Sequence, residues 1–228
     1  MQRRTIRELR VPGLRLGRHV QFDERSRNFP ALALVPRGAR LASRLWERKT
    51  SAFDQGDIGS CTGQGAAGLL VTAPFVTPKL RVTQNTATAV YMRATRLDPF
   101  PGNFPPEDTG STVLAAMKAT VKLGWAKGYR WCFGLQDVLK VLSTVGPVEI
   151  GVNWYEGFDY LENGRASIAG EVRGGHAFEL LGLDVKAKTV TAINSWGPGW
   201  GNSGRFTFSW ADLDRLLQEE GEASTLTK

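Results

Sequence analysis

Three residues, distant along the chain, have the side chains that nucleophilic catalysis by a thiol needs: Cys61, His176 and Asn194. Cys61 follows Ser60 at the start of a predicted helix, where the positive end of the helix dipole would favour the reactive thiolate. His176 opens an apolar strand and could hold the thiol proton as an imidazolium. Asn194 ends a second apolar run 18 residues later, so antiparallel pairing of the two strands would bring its amide oxygen beside the imidazole.

Each of these residues also has an ordinary structural explanation. A lone cysteine in a helix of small residues is most often a packed core thiol, and a lone histidine ahead of a strand is more often structural than catalytic. The second histidine of the chain, His19, lies in an arginine-rich segment, so only His176 is expected on a rigid element. Residue types alone therefore leave a catalytic and a structural interpretation open.

The elements that must position these residues change character along the chain. Four helices are predicted from the spacing of small and apolar residues: 60–72, 83–96, 112–123 and 136–143. Four strands are predicted from apolar runs bounded by turn residues: 148–152, 177–183, 188–193 and 204–209. Helices in the first half and antiparallel strands in the second indicate an α+β fold, with a cleft between the halves as the expected place for a site.

The first predicted helix contains three glycines, Gly63, Gly65 and Gly68, and Ser60 stands at its expected N-cap. A glycine inside a helix costs about 1 kcal/mol relative to alanine. We therefore expect another element to approach this helix closely.

Three sequence motifs around the candidate residues resemble motifs of the papain-like cysteine peptidases. Gln55 precedes Cys61 by six positions in Gln-Gly-Asp-Ile-Gly-Ser-Cys, which keeps the family's Gln-Gly-x-x-Gly-Ser-Cys spacing. His176 stands in Gly-His-Ala, and Asn194 begins Asn-Ser-Trp-Gly-Pro-Gly-Trp-Gly, which matches every fixed position of the family's Asn-Ser-Trp-Gly-x-x-Trp-Gly. The phrases occur in the family's order, and the resemblance covers about residues 45–210.

The resemblance implies a papain-like fold, with a helical left subdomain, an antiparallel β-barrel-like right subdomain and the active-site cleft between them. It implies that peptide bonds are hydrolysed through a thioester acyl-enzyme by a triad of Cys61, His176 and Asn194. Two alternatives use the same fold. One is a catalytically silent binding module, and the other is a transpeptidase or deamidase that uses the same triad.

Further roles follow from the same resemblance. The Gln55 side-chain amide and the Cys61 backbone N–H would form the oxyanion hole. Trp196 would shield the histidine–asparagine hydrogen bond from water, and it has an equally ordinary role in core packing. The Gly-Pro-Val phrase that ends at Val148 resembles the segment that lines the family's specificity pocket, so Val148 and Ala177 predict an apolar substrate pocket.

The start of the chain differs from the rest. Residues 1–50 hold 13 Lys and Arg against 4 Asp and Glu, whereas the remainder has a net charge of −2, within a total of +7. A basic arm over 1–35 is predicted to precede a catalytic domain over 36–228, whose halves span about 55–140 and 145–210. The arm is too short for the family's helical inhibitory pro-region. It therefore either belongs to the folded enzyme or acts as a short plug in the cleft.

Two departures from the family concern cysteine and disulfide positions. Ile58 replaces a disulfide cysteine and Thr62 replaces an aromatic residue. The chain has two cysteines, so a disulfide between them would remove the free thiol of Cys61. Cys132 is expected to be a buried thiol with no catalytic role. With no visible signal peptide, these features favour a bacterial-type member in the cytoplasm and leave non-classical export open.

Composition and pattern also limit the partners. No cofactor or metal is implied, and no apolar stretch approaches the roughly 20 residues that span a bilayer. The expected partner is a peptide or protein substrate, and the chain is expected to be a monomer. Binding of nucleic acid through the basic arm is the less favoured interpretation.

Overall fold

Three helices pack together in the first half of the chain. In the computed structural model, which describes residues 1–77 and 80–227, they are α1 (Cys61–Val71), α2 (Gln84–Ala94) and α3 (Val113–Lys122). Each confirms a helix predicted from spacing, to within one or two residues at either end. Small and apolar side chains on their facing surfaces are fully buried, so this half has a core of its own.

The glycines of α1 mark close approaches by other elements. A Cβ at Gly63 would lie 2.6 Å from a backbone oxygen of α2. A Cβ at Gly65 would lie 2.8 Å from Glu149 Oε1, and one at Gly68 would lie 2.6 Å from Glu179 Oε2. The predicted close approach is therefore confirmed, because α1 lies directly against α2 and against two strands of the sheet.

The paired strands of the described residues are antiparallel. In chain order they are β1 (Gln2–Arg4), β2 (Val20–Phe22), β3 (Arg44–Leu45), β4 (Gly128–Cys132), β5 (Val148–Tyr155), β6 (Val172–Asp184), β7 (Thr189–Ile193), β8 (Arg205–Ser209) and β9 (Glu222–Thr227). β1 and β2 form a hairpin, and the other seven form one sheet in the order β4-β9-β5-β6-β7-β8, with β3 on β6.

The α+β class is confirmed, but the barrel-like second half is not. The sheet is open because its end strands, β4 and β8, pair with different neighbours and not with each other. Two further helices, α4 (Leu135–Thr144) and α5 (Trp210–Gln218), pack their apolar sides into the second core. No helix of the described residues is both long and apolar enough to cross a bilayer.

The first 35 residues lie against the body of the fold. Leu16, Arg18 and Val20 are fully buried. Two short 3₁₀ helices, Glu24–Asn28 and Ala31–Leu34, follow the β1–β2 hairpin. The basic start of the chain is thus packed against the body around residues 15–21, whereas Arg3, Arg4, Arg7 and Arg10 are exposed.

Candidate active site

Cys61 is the first residue of α1. The turn before it is closed by a 2.8 Å hydrogen bond from the Ser60 N–H to the Ile58 carbonyl oxygen. Ser60 is the N-cap residue, as predicted, but its side chain makes no capping hydrogen bond, because its backbone is not extended and its hydroxyl oxygen accepts from Gln64 Nε2 at 3.0 Å. The first N–H groups of a helix have no acceptor inside it. The Cys61 N–H is therefore not used by the helix itself.

His176 and Asn194 are joined by a 2.7 Å hydrogen bond between Nε2 and Oδ1. The antiparallel pairing of β6 with β7 brings these two residues together. The Ser195 backbone N–H donates to the same Asn194 oxygen at 2.7 Å, which turns the amide oxygen toward the ring. Nε2 must therefore carry the proton, and Nδ1 is the basic nitrogen of the neutral imidazole.

The thiol of Cys61 lies against β6 next to Ala177, and within the described residues no hydrogen bond joins it to His176. The backbone N–H of Ala177, the next residue after His176, is close enough to the thiol to lower its pKa. His176 Nδ1 is buried and has no hydrogen-bond partner among the described residues. The predicted nucleophile thus lies at the strand that carries the predicted base, and the basic nitrogen is not occupied by another group.

Burial sets the protonation states of this pair. Loss of water raises the pKa of Cys61 above its ordinary value, against the smaller effect of the Ala177 N–H. The same loss lowers the pKa of His176 to about 3, with the Asn194 hydrogen bond opposing the shift. The structure therefore holds a neutral thiol and a neutral imidazole, and formation of the reactive ion pair requires water to reach them.

Gln55 is fixed at both ends of its amide. Its Nε2 donates to the Ile58 carbonyl oxygen at 2.8 Å, and its Oε1 accepts from Ser195 Oγ at 2.6 Å. An amide nitrogen has two hydrogens, and this contact uses one of them. The second hydrogen can serve an oxyanion, and the contact with Ser195 ties the amide to the residue after Asn194.

Aromatic rings enclose the imidazole of His176. The ring centroid of Trp196 lies 5.1 Å away and that of Trp154 lies 4.7 Å away. Low polarity around a hydrogen bond strengthens it, so both rings support the bond to Asn194. Sequence reasoning missed Trp154, although the apolar alternation that begins at Val148 continues to it and would have placed it on the same face of β5.

Val148 and Ala177, predicted to line one apolar pocket, do not face the same space. Ala177 pairs with Gly151, whereas Val148 pairs with Leu180. Successive residues of a strand point to opposite faces, so the two side chains lie on opposite sides of the sheet. Val148 is fully buried in the core of the second half. The predicted pairing of these two residues is therefore wrong.

A covering segment, defined as residues 6–19, lies over the site. Trp196 Nε1 donates to the Arg15 carbonyl oxygen at 2.8 Å. The N–H groups of Gly17 and Arg18 donate to the Gly175 carbonyl oxygen at 3.1 and 2.9 Å. These contacts lie on both sides of the histidine, so the segment crosses the reaction centre.

Gly17 is the point where the covering segment comes closest to the loop before α1. A Cβ at this position would overlap the Gly59 carbonyl oxygen. On its other side, Ser111 N–H donates to the Gly17 oxygen at 2.8 Å, and His19 N–H donates to the Ser111 oxygen at 2.8 Å. With the segment in place, the nucleophile and the base have no exposed surface.

The remaining candidate groups lie elsewhere. Cys132 is a free, buried thiol on β4, and burial raises its pKa. β4 is separated from β6 by two strands of the sheet. Within residues 1–77 and 80–227, no group of three or more His, Cys, Asp or Glu is arranged to hold a metal ion.

Comparison with curated proteins finds eukaryotic cysteine proteinases. Cathepsin B-like CP2 of Giardia intestinalis is 30% identical over 131 residues, which is 52% of this chain and 44% of that protein. A cathepsin B-like cysteine proteinase of Schistosoma japonicum is 36% identical over 119 residues, or 46% and 35%. The chain thus spans less than half the length of these relatives, and the predicted bacterial type is not confirmed. No family model matches the sequence.

Comparison with solved structures covers nearly the whole chain. Xylellain, a cysteine protease from Xylella fastidiosa, has a TM-score of 0.70 at 14% identity, over 96% of this chain and 98% of that one. Digestive procathepsin L 3 of Tenebrio molitor has a TM-score of 0.65 at 15% identity, over 94% and 76%. At such low identity the likeness shows the fold, which is the one that the sequence resemblance implied.

Proposed function

The chain has the papain-like fold and is related in sequence to cathepsin B-like cysteine proteinases, and from these premises we propose that it hydrolyses peptide bonds through a thioester on Cys61. The observation that carries the proposal is the imidazole of His176. Its Nε2 is held by Asn194 at 2.7 Å, while its buried Nδ1 has no partner in the described part of the chain and the thiol lies against the next residue.

Acylation begins when the Cys61 sulfur attacks the carbonyl carbon of the substrate. The thiol proton passes to His176 Nδ1, and the carbonyl electrons move to oxygen. The Gln55 amide and the Cys61 N–H stabilise this oxyanion. When it collapses, the C–N bond breaks, the leaving amine takes the proton from Nδ1, and a thioester remains.

Deacylation uses the same groups in the opposite sense. A water molecule gives a proton to His176 Nδ1 as its oxygen attacks the thioester carbon. The C–S bond breaks, the sulfur takes the proton back, and the carboxylic acid leaves. Asn194 keeps the ring in one orientation in both steps, and the enclosing rings of Trp154 and Trp196 keep competing water away from that hydrogen bond.

With the covering segment in place, the proposed active site is in a closed state. Residues 1–35 would then be a regulatory arm and residues 36–228 the catalytic domain. The segment excludes water from the thiol and the imidazole, and burial keeps both neutral. Displacement of the segment would hydrate the pair and allow a thiolate and an imidazolium to form.

Intact-mass analysis after exposure to a peptidyl epoxide tests the proposed nucleophile. Wild-type protein should take up one equivalent, and Cys61→Ala should take up none, because only a thiol paired with a base reacts with such a trap at neutral pH. Cys132→Ala is the matched control and should label like wild type. Labelling on Cys132 with Cys61 unmodified would overturn the assignment.

Product analysis with a peptide substrate separates hydrolysis from the transfer reactions that share the intermediate. In the presence of an added amine, a peptidase yields mainly the free acid, whereas a transpeptidase yields mainly the amide of the added amine. Conversion of a glutamine side chain to glutamate, with the backbone intact, would identify a deamidase.

A further inference from the structure

Two glutamines of the helical half are joined in one line of three hydrogen bonds. The Asp54 N–H donates to Gln84 Oε1 at 2.9 Å. Gln84 Nε2 donates to Gln64 Oε1 at 3.0 Å, and Gln64 Nε2 donates to Ser60 Oγ at 3.0 Å. Each amide thus accepts at its oxygen and donates from its nitrogen. We call this line the glutamine relay.

The direction of the glutamine relay is fixed by the backbone group at its start. A backbone N–H can only donate, so the Gln84 oxygen must face Asp54 and the Gln84 nitrogen must face Gln64. The oxygen of Gln64 must then accept, which leaves its nitrogen for Ser60. Both amides therefore have one orientation, and hydrogen bonds aligned head to tail polarise and strengthen one another.

Gln64 is an unusual residue for its place in the fold. α1 is buried along its whole length, and the other residues of this helix are small or apolar. A buried amide costs free energy unless its polar ends are hydrogen-bonded. Both ends of Gln64 are bonded within the relay. An apolar side chain would meet no such requirement, so the hydrogen bonds of the relay account for an amide at this position.

The relay connects the two ends of the loop 54–60, which carries the proposed oxyanion donors. Gln55, near the start of this loop, contributes its side-chain amide, and the loop leads directly into the Cys61 N–H. Asp54 stands immediately before Gln55, and Ser60 stands immediately before Cys61. The relay therefore holds the residue before each donor, and it ties both of them to the helices α1 and α2.

Other contacts hold the same loop, but they differ from the relay. The Gln55 N–H donates to the Ser195 carbonyl oxygen at 2.8 Å, which fixes the start of the loop against the second half of the fold. Near the end of the loop, the Gly59 N–H donates to the Asp108 carboxylate at 2.9 Å. Asp108 also binds Arg15, which belongs to the covering segment. The relay includes no residue of the covering segment, so it can hold the loop after the segment is displaced.

We propose that Gln64 and Gln84 are positioning residues that keep the two proposed oxyanion donors at a fixed separation. This inference rests on the proposed peptidase function. Donors that are held in place before the reaction stabilise the transition state without a cost for ordering them, and small misplacements of such groups lower the rate strongly. The two glutamines act through Asp54 and Ser60 and not on the substrate, so their loss should lower kcat and leave KM nearly unchanged.

The test measures two reactions of Cys61 in the full chain, of which only one needs an oxyanion. Hydrolysis of a fluorogenic peptide passes through the oxyanion, whereas alkylation of the thiol by iodoacetamide does not. Gln64→Met and Gln84→Met keep the length of the side chain and remove its amide. Each should lower kcat by about 5–10-fold, the factor that corresponds to loss of a typical hydrogen bond, while KM and the rate of Cys61 alkylation stay within about 2-fold of wild type.

A double variant shows whether the two glutamines act as one unit. If both act through the relay, removal of the second glutamine adds little once the first is gone. Gln64→Met combined with Gln84→Met should therefore lower kcat by no more than about 2-fold beyond the more affected single variant. A combined loss equal to the product of the two single losses would mean that the glutamines act separately, and it would overturn the relay.

Thr120→Val is the matched control for a lost hydrogen bond in the helical half. Thr120 is fully buried on α3, and its hydroxyl donates to the Ala116 carbonyl oxygen at 2.9 Å. This variant should keep the wild-type kcat, KM and alkylation rate. A fall in kcat as large as in the glutamine variants would show that general loosening of the helical half is the cause, and the positioning role would be lost.

The outcomes separate this inference from the proposed function. Hydrolysis by the wild-type chain, with kcat unchanged in Gln84→Met, would overturn the positioning role and leave the peptidase proposal standing. Gln84 is only part-buried, so this variant decides the question even if Gln64→Met does not fold. A fall in the alkylation rate as large as the fall in kcat would place the effect at the thiol and would also overturn the positioning role. Failure of the wild-type chain to hydrolyse peptides would overturn the proposed function itself, and this inference with it.

Discussion

The covering segment lies over the proposed reaction centre and also contributes Arg18 to a buried ion pair with Glu222, yet burial affects these two regions in opposite ways. At the centre, Cys61 and His176 lose water and gain no opposite charge, so both are held neutral. In the ion pair, Arg18 and Glu222 lose water but gain each other. Under the proposed function, the segment would suppress the chemistry by dehydration, and the ion pair between Arg18 and Glu222 would hold it in place.

This difference separates two effects that a single activity measurement would mix. A change at the reaction centre should alter the rate of the chemical step and leave the rate at which the covering segment opens unchanged. A change in the ion pair of Arg18 with Glu222 should alter how often the segment opens. Variants in each region can therefore show whether the two are independent.

The largest effect is expected at the oxyanion hole. Gln55→Ala removes an amide that is fixed against Ser195 and Ile58. Loss of one such donor lowers kcat by about 10²–10³-fold. Steady-state hydrolysis of a fluorogenic peptide, at saturating substrate, measures the change.

Ser195→Ala is the control for this prediction, because it removes only the hydroxyl that steadies the Gln55 oxygen. Ser195→Ala should lower kcat far less than Gln55→Ala does. Losses of equal size in the two variants would mean that Gln55 acts only through the position of its neighbours and is not itself an oxyanion donor.

A smaller effect is expected when the ion pair between Arg18 and Glu222 is broken. Arg18→Gln removes the charge that pairs with Glu222, and breaking a buried charge pair costs enough to speed opening of the covering segment by about 10-fold or more. The rate at which iodoacetamide labels Cys61, followed by intact mass, reports that opening. Arg10→Gln, in an exposed part of the same segment, should leave the rate unchanged. An unchanged rate in Arg18→Gln would show that the ion pair does not hold the segment.

The residues proposed for the reaction centre could be singled out from the sequence because their signals are local. The phrases around Cys61, His176 and Asn194 each lie within one element or one turn. Four of the five α-helices of the described residues were predicted to within two residues, from small or apolar side chains at helical spacing, whereas α5 was not predicted. Local signals of this kind do not depend on how distant strands pair.

The surroundings of Arg18 and Glu222 could not be predicted, because they depend on register between distant strands. The row from Ala177 through Gly151 to Glu222 joins β6, β5 and β9, and β9 itself was not predicted. Val148 was predicted to line a pocket with Ala177, and that prediction failed for the same reason, because the register places the two side chains on opposite faces of the sheet. A strand's pattern shows that its residues alternate between two faces, but only its partners decide which face meets the site.

The smallest effect is expected from Glu149, a third carboxyl on the face of the sheet that meets α1. Glu149 is fully buried, and neither of its oxygens has a hydrogen-bond partner among the described residues. Burial raises its pKa well above the usual value, and the nearby carboxyls of Glu222 and Glu179 add to the shift. The arginines paired with those two carboxyls, Arg18 and Arg48, form no hydrogen bond with Glu149.

The sign of the pH effect follows from that raised pKa. The folded chain keeps a proton on Glu149 that the unfolded chain loses above about pH 4.5, so the free energy of unfolding falls as pH rises beyond this point. Glu149→Gln cannot lose that proton. It should match wild type in urea unfolding at pH 4 and be more stable by about 1–3 kcal/mol at pH 8. Glu24→Gln, at an exposed position, should follow wild type at both pH values. If Glu149→Gln also follows wild type, the carboxyl is ionised within the fold, and the contrast between a paired Glu222 and an unpaired, neutral Glu149 does not hold.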